Sequence, residues 1–209
     1  MTTPAPATLF TATATGERLE RAAGALSTNG FTVEILEDAD AARRRIQDLL
    51  PPGASVLTSA SETLRLSGID EDINAGEAYV AIKPLTMSMD RATQTEEIRR
   101  LRATADVIVG SVAAVTESGS LVIASGSGSQ LPAFAGGAAQ RIWVVGAQKL
   151  VPDLPTALRR VEEHCLPLES ERAQRIYGWP SAISRLLILN LEPEPGRGTV
   201  LLLRTSIGF

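Results

Sequence analysis

The feature that most constrains this chain is a set of short blocks that stay apolar at consecutive positions: Val107-Ile108-Val109, Leu121-Val122-Ile123 and Ile142-Trp143-Val144-Val145. A strand with one wet face alternates apolar and polar side chains. A run that is apolar on both faces must be covered on both, which is the pattern of parallel strands lying under helices. Segments with a single apolar stripe supply those helices. Glu17 to Asn29 sets Leu19, Ala22, Ala23 and Leu26 along one helical face, with Gly30 placed to close it. Thr32 to Leu36 alternates as a strand, and Ala39 to Leu50 is helical through Ala42, Ile46, Leu49 and Leu50 until Pro51-Pro52-Gly53 stops it. A strand at Ser55 to Thr58, short helices at Glu62 to Leu66 and Asp70 to Asn74, and a strand at Tyr79 to Ile82 follow. Leu85 to Arg91 has no strong period and reads as loop, and Thr93 to Thr104 as a helix. Leu154 to Cys165 is a helix with Leu154, Leu158, Val161 and Cys165 on one face. Strands at Leu186 to Leu191 and Thr199 to Leu203 finish the chain. The alternation predicts an α/β three-layer sandwich built on a mainly parallel sheet.

The chain has 209 residues, room for one domain of the common size of ~100 to 200 residues. Residues 1–16, rich in Thr, Ala and Pro, read as a disordered or frayed N-terminal tail, and residues 17–209 as a single domain. No apolar run approaches the ~20 residues that span a bilayer, and the start lacks the basic residues of a secretory signal, so a cytoplasmic protein is expected. Twenty basic against 24 acidic residues, a net charge of −4 and a pI near 5.2 make no electrostatic case for nucleic acid or an anionic membrane. The expected partner is a small anionic metabolite or another protein. Cys165 and His164 are the sole cysteine and histidine. An intrachain disulfide, a Cys/His zinc site and a cysteine-ligated iron–sulfur cluster therefore have no ligand set here, and no metal residues or resident cofactor are expected. As neighbours on one helix, the two cannot reach each other as a catalytic pair.

In open α/β sheets ligands gather at the carboxyl ends of the strands, so the loops after strands carry the candidate chemistry. In Thr58-Ser59-Ala60-Ser61-Glu62, Ser61 can cap the following helix or, with Thr58 and Ser59, help to bind an anion. In Thr116-Glu117-Ser118-Gly119, Glu117 is either a desolvated carboxylate tuned as acid, base or nucleophile, or a turn residue facing water. In Ser125-Gly126-Ser127-Gly128-Ser129-Gln130, Gly126 and Gly128 allow the backbone N–H groups to form an anion nest; otherwise the segment is a flexible loop. Leu131 stands where a dinucleotide fingerprint would need glycine, and the Walker pattern is absent. Lys149, one of two lysines, follows the strand at Ile142 to Val145 and either steers an anionic ligand or is a surface lysine.

The order of several motifs resembles the lactate-utilisation (LUD) domain family. They are Ala105-Asp106-Val107-Ile108-Val109-Gly110, Ala114-Val115-Thr116-Glu117-Ser118-Gly119-Ser120-Leu121-Val122, Val144-Val145-Gly146-Ala147-Gln148-Lys149-Leu150-Val151 and Ala157-Leu158-Arg159-Arg160-Val161. Ser61-Glu62-Thr63-Leu64 with Gly68-Ile69 resembles its upstream segment, and Pro195-Gly196-Arg197 with Ile207-Gly208-Phe209 its tail. The resemblance implies a fold like that of ribose-phosphate isomerases, glucosamine-phosphate deaminases and CoA transferases. It also implies a role as accessory subunit beside iron–sulfur oxidoreductase partners in oxidising L-lactate to pyruvate. The alternative is an enzyme or sensor that takes a phosphosugar, CoA ester or other carboxylate, with Glu117 as its carboxylate. Two departures stand out. Ser125 to Gln130 lacks the two charges that relatives often carry there, and Gly178-Trp179-Pro180-Ser181 stands where some relatives have cysteines.

Overall fold

The computed structural model describes residues 5–209. Among these, ten strands form two sheets. Six make a wholly parallel sheet in the order β1 (Thr32–Leu36), β10 (Gly198–Leu203), β7 (Gln140–Gly146), β4 (Val107–Gly110), β2 (Ser55–Thr58) and β3 (Val80–Ala81). The other four are ordered β8 (Leu150–Val151), β5 (Ala114–Thr116), β6 (Leu121–Ser125) and β9 (Arg185–Leu189), with β5 parallel to β8 and β6 antiparallel to both neighbours.

The two-sided apolar blocks explain the layering. Along β4, β7 and β10, Val107, Val109, Ile142, Val144, Leu201 and Leu203 face one way. They pack against α2 (Ala39–Leu49), α3 (Glu62–Leu66) and α4 (Ile69–Ala75) through Ala42, Ile46, Leu64, Ile69 and Ile73. The alternate residues Ile108, Trp143, Val145, Val200 and Leu202 face the opposite way, toward Leu19, Ala22 and Leu26 of α1 (Gly16–Thr28) and the inner side of the small sheet. The outer side of that small sheet is covered in turn. Ala114, Val122 and Val151 pack with Ala157 of α7 (Leu154–Arg160) and Val161 of the π-helical turn after it (Val161–Cys165). The architecture is the three-layer α/β arrangement the alternation predicts.

Three differences from the sequence reading have local causes. The N-terminal segment is docked rather than frayed from residue 7 onward; residues 1–4 of the expected tail lie outside the described residues. Phe10 is buried against Ala114, Val122, Val151 and Val161, and the Ala7 N–H donates to Glu163 O at 2.8 Å, so apolar burial fixes a stretch whose composition looks loose. Residues Ile82–Ser88 form a helix, α5, where strand and then loop were expected; Thr86 donates to Ile82 O at 2.9 Å, and Pro84 falls in the first turn, where its missing N–H costs nothing. The chain also continues helically past Cys165 as α8 (Leu166–Tyr177), and α6 (Thr95–Ala103) completes the helices used below. No helix among the described residues is long and apolar enough to cross a membrane.

Before β10 the chain is fixed by a buried ion pair. Glu192, held by its N–H donating to Asn29 O at 2.8 Å, accepts a hydrogen bond from Arg141 of β7. Both side chains are almost fully enclosed, at 6% and 3% exposure. Gly30 makes this approach possible: its φ is +88°, and a Cβ there would lie 2.1 Å from Glu192 O.

Candidate functional site

A cavity of about 930 Å³ opens at the carboxyl ends of β2 and β4. Its walls are the Thr58 to Glu62 loop, residues 111–113 after β4, the Ser125 to Gln130 loop, Lys149 and the inner side of α8. The sequence predicts a site at this end of the sheet, and Thr58, Ser59, Ser61, Gly126 and Lys149 are brought together in it. A second cavity of about 620 Å³ lies near the surface ion pair of Arg43 and Asp72, with Gln47, Glu71 and Tyr79 among aliphatic residues in its wall.

Lys149 is the centre of the site. Its side chain is buried, and Nζ donates to Thr63 Oγ1 at 2.9 Å, Ser111 Oγ at 3.0 Å and Val112 O at 3.1 Å. Ser111 passes its own proton to Val144 O at 2.6 Å and Thr63 to Ile207 O at 3.4 Å, so both hydroxyls are left to accept from the lysine. Three acceptors match the three donors of a charged ammonium. No carboxylate pairs with Lys149 among the described residues, and burial, helped by repulsion from Arg160, pushes it down to about 7. Lys149 is thus not on the surface, and when protonated it carries a charge that no carboxylate among the described residues balances.

Arg160 sits directly behind it. The residue is fully buried, with Nη1 donating to Ala113 O and lying 3.0 Å from Cys165 Sγ, two residues that line the cavity. Its Nε and Nη2 have no hydrogen-bond partner among the described residues. Burial pushes the Cys165 thiol up while the Arg160 and Lys149 cations pull the other way, and burial beside Arg160 holds His164 below its ordinary value. His164 Nδ1 is 3.0 Å from Ala7 O, so its polar contact is to the docked N-terminal segment.

The polar loops are shaped by their own hydrogen bonds. The Ser61 side chain accepts from Leu64 N at 3.4 Å, the capping role its position suggests, and Asn74 donates to Thr58 Oγ1 at 2.8 Å. Ser125 Oγ accepts from Gly128 N at 2.8 Å, which closes the Gly/Ser loop on itself. Gly128, with φ +77°, is packed against Arg185 and does not line the cavity.

The Thr116 to Gly119 turn lies elsewhere. Thr116, Glu117 and Gly119 are outside the cavity, against α1. Glu117 accepts from Arg18 Nε at 2.6 Å, and Asn29 Nδ2 donates to Ser118 O and Gly119 O at 3.0 and 3.1 Å. Gly119, with φ +84°, lets the turn touch the helix: a Cβ would meet Ala25 C at 2.7 Å and Leu26 N at 2.8 Å. This turn fastens a helix. Sequence reasoning missed Arg160, Thr63, Ser111, Arg102 and Arg172. The one available signal was the inward phase of Ala157, Val161 and Cys165, which carries Arg160 inward with them.

Fold and site together define a class: a three-layer α/β protein with a cation-floored cavity at the carboxyl ends of its parallel strands. The sequence pattern of the LUD domain matches residues 19–185. The chain belongs to the LUD domain family. A solved structure similar to it is a DUF162 family protein from Deinococcus radiodurans, 15% identical, with a TM-score of 0.55 over 90% of this chain and 96% of that one. At that identity the likeness speaks to the fold alone. No curated protein matches the chain in sequence.

Proposed function

We propose that the chain works in lactate utilisation as a subunit that holds an anionic metabolite in this cavity while iron–sulfur partner proteins carry the electrons. Family membership supports the setting. The observation that carries the reading is Lys149: a buried ammonium whose partners are three neutral oxygens leaves its charge to be balanced by a ligand. The electron-carrying role falls to partners because one cysteine cannot ligate a cluster, and the described residues contain no group of three His, Cys, Asp or Glu able to hold a metal ion. The test is to express a tagged copy in the source organism growing on lactate, and to identify retained proteins by mass spectrometry alongside an iron assay. Iron-bearing oxidoreductase subunits are expected. Lactate oxidation by the purified chain with no partner would reject the subunit role.

A second reading makes the cavity an active site for a phosphosugar, CoA ester or other carboxylate. It is favoured by Lys149 standing at about 7, where proton transfer at neutral pH is most effective. Turnover lost in K149M but kept in E117Q is the outcome this reading requires.

A further inference from the structure

Building on the reading of the cavity as an anion site, we infer that its ligand is a nucleoside phosphate, its planar ring at the mouth against Trp179 and its negative charges on the half-buried Arg102 and exposed Arg91, within the field of the buried Lys149. The charge arrangement is the first support. Five basic side chains and two carboxylates line the cavity. Both carboxylates are already taken, Glu169 by Arg172 at 2.6 Å and Glu62 by Arg65 at 2.5 Å, and Lys83 is held by Asp70 at 2.8 Å. Arg91, Arg102 and Lys149 are left with no carboxylate among the described residues, and Arg160 lies buried behind them.

Arg102 is partly desolvated, with Thr86 Oγ1 at 2.9 Å as its side-chain partner. Desolvating a guanidinium without a counter-charge is unfavourable, and so is grouping several. The chain as a whole is acidic, at −4, so the cluster is no by-product of a basic surface. A monocarboxylate such as lactate or pyruvate offsets one cation; a phosphate or diphosphate offsets two or more.

The aromatic pair is the second support, and it is independent of charge. Trp179 and Tyr177 line the same cavity, stacked on each other with ring centroids 6.2 Å apart and planes at 27°. Trp179 is 66% exposed, so the ring is open to a flat ligand entering the cavity. Base stacking on such a ring is tolerant of base identity, which suits recognition without a dinucleotide fingerprint. The volume agrees: about 930 Å³ is at the upper end of the ~300–1,000 Å³ usual for ligand pockets and far more than a three-carbon acid fills.

Titration calorimetry on the full chain tests this with pyruvate, L-lactate, inorganic pyrophosphate, AMP and ATP as probes. ATP is expected to bind at least about 100-fold tighter than pyruvate, with R102A and R91A each weakening ATP and pyrophosphate about tenfold or more. W179A is expected to weaken ATP about tenfold and leave pyrophosphate unchanged, which separates ring recognition from phosphate recognition. Trp179 is exposed, so circular dichroism of W179A should match the parent. Equal loss of both ligands in W179A, or no loss of either, overturns the nucleoside assignment. Pyruvate or lactate binding as tightly as ATP overturns it too while leaving an anion site in place. Failure of every probe to bind sinks the anion site itself.

Discussion

Lys149 is the residue on which the site turns, and its burial makes a prediction about stability. In the folded chain it stands at about 7 against an ordinary 10.5. Between those values the unfolded chain binds more protons than the folded one, so stability rises with pH through that window, and the lysine weighs most against folding below it. K149M removes the dependence. Relative to the parent, its melting midpoint should fall by several degrees as pH goes from 7 to 10, since each kcal/mol is worth roughly 2–4 °C in a chain of this size. A difference that stays flat across that range would show that Lys149 is not desolvated as described. Glu117 makes the opposite prediction. Its ion pair with Arg18 is a third to a quarter exposed, at 33% and 27%, so E117Q should cost under about 1 kcal/mol in urea unfolding and leave cavity ligand affinity unchanged. Weakened binding in E117Q would return that carboxylate to the site.

At the level of elements, the turn after β5 and the segment before α1 hold helices in place, and each can be loosened alone. G119A forces a side chain into the α1 backbone at a left-handed φ, and should cost at least about 1–3 kcal/mol in denaturant unfolding. F10A empties a buried ring from the layer over β5 and β6 and should cost about 3–5 kcal/mol, whereas a frayed tail would lose almost nothing. These elements also show what a sequence reveals. Two-sided runs at Val107 to Val109 and Ile142 to Val145 announced buried parallel strands, and the stripe from Leu19 to Leu26 announced α1, because both signals are local; Leu121 to Ile123, with the same pattern, is instead antiparallel, since a strand buried on both faces reads alike in either direction. The assignment of β6 and β9 to a separate mixed sheet, paired antiparallel with each other, was hidden, since pairing depends on residues nearly seventy positions apart, as between Leu121 and Leu189. The cavity was half legible for the same reason. Thr58, Ser59, Ser61 and Gly126 lie at or just after strand ends, but Arg160 sits beside the apolar face of its helix, and what that face packs on shows only once the small sheet is in place.

For the whole molecule the consequence is electrostatic. A chain of net charge −4 presents an acidic exterior to a ligand whose destination is a cluster of cations, so the average charge repels what the cavity attracts. The local field should win at short range. Salt screens the cavity's contacts with a charged ligand, so the affinity for ATP is expected to fall steadily between 50 and 500 mM salt. Affinity that rises with salt would mean the acidic exterior governs approach.

The sheet order carries a consequence for biosynthesis. β10 lies between β1 and β7, so the last strand of this sheet in chain order is the one that joins β1 to the rest. Until it leaves the ribosome, two apolar strand edges stay open. The nascent sheet must therefore wait for β10 before it can close, a window in which chaperone protection matters most.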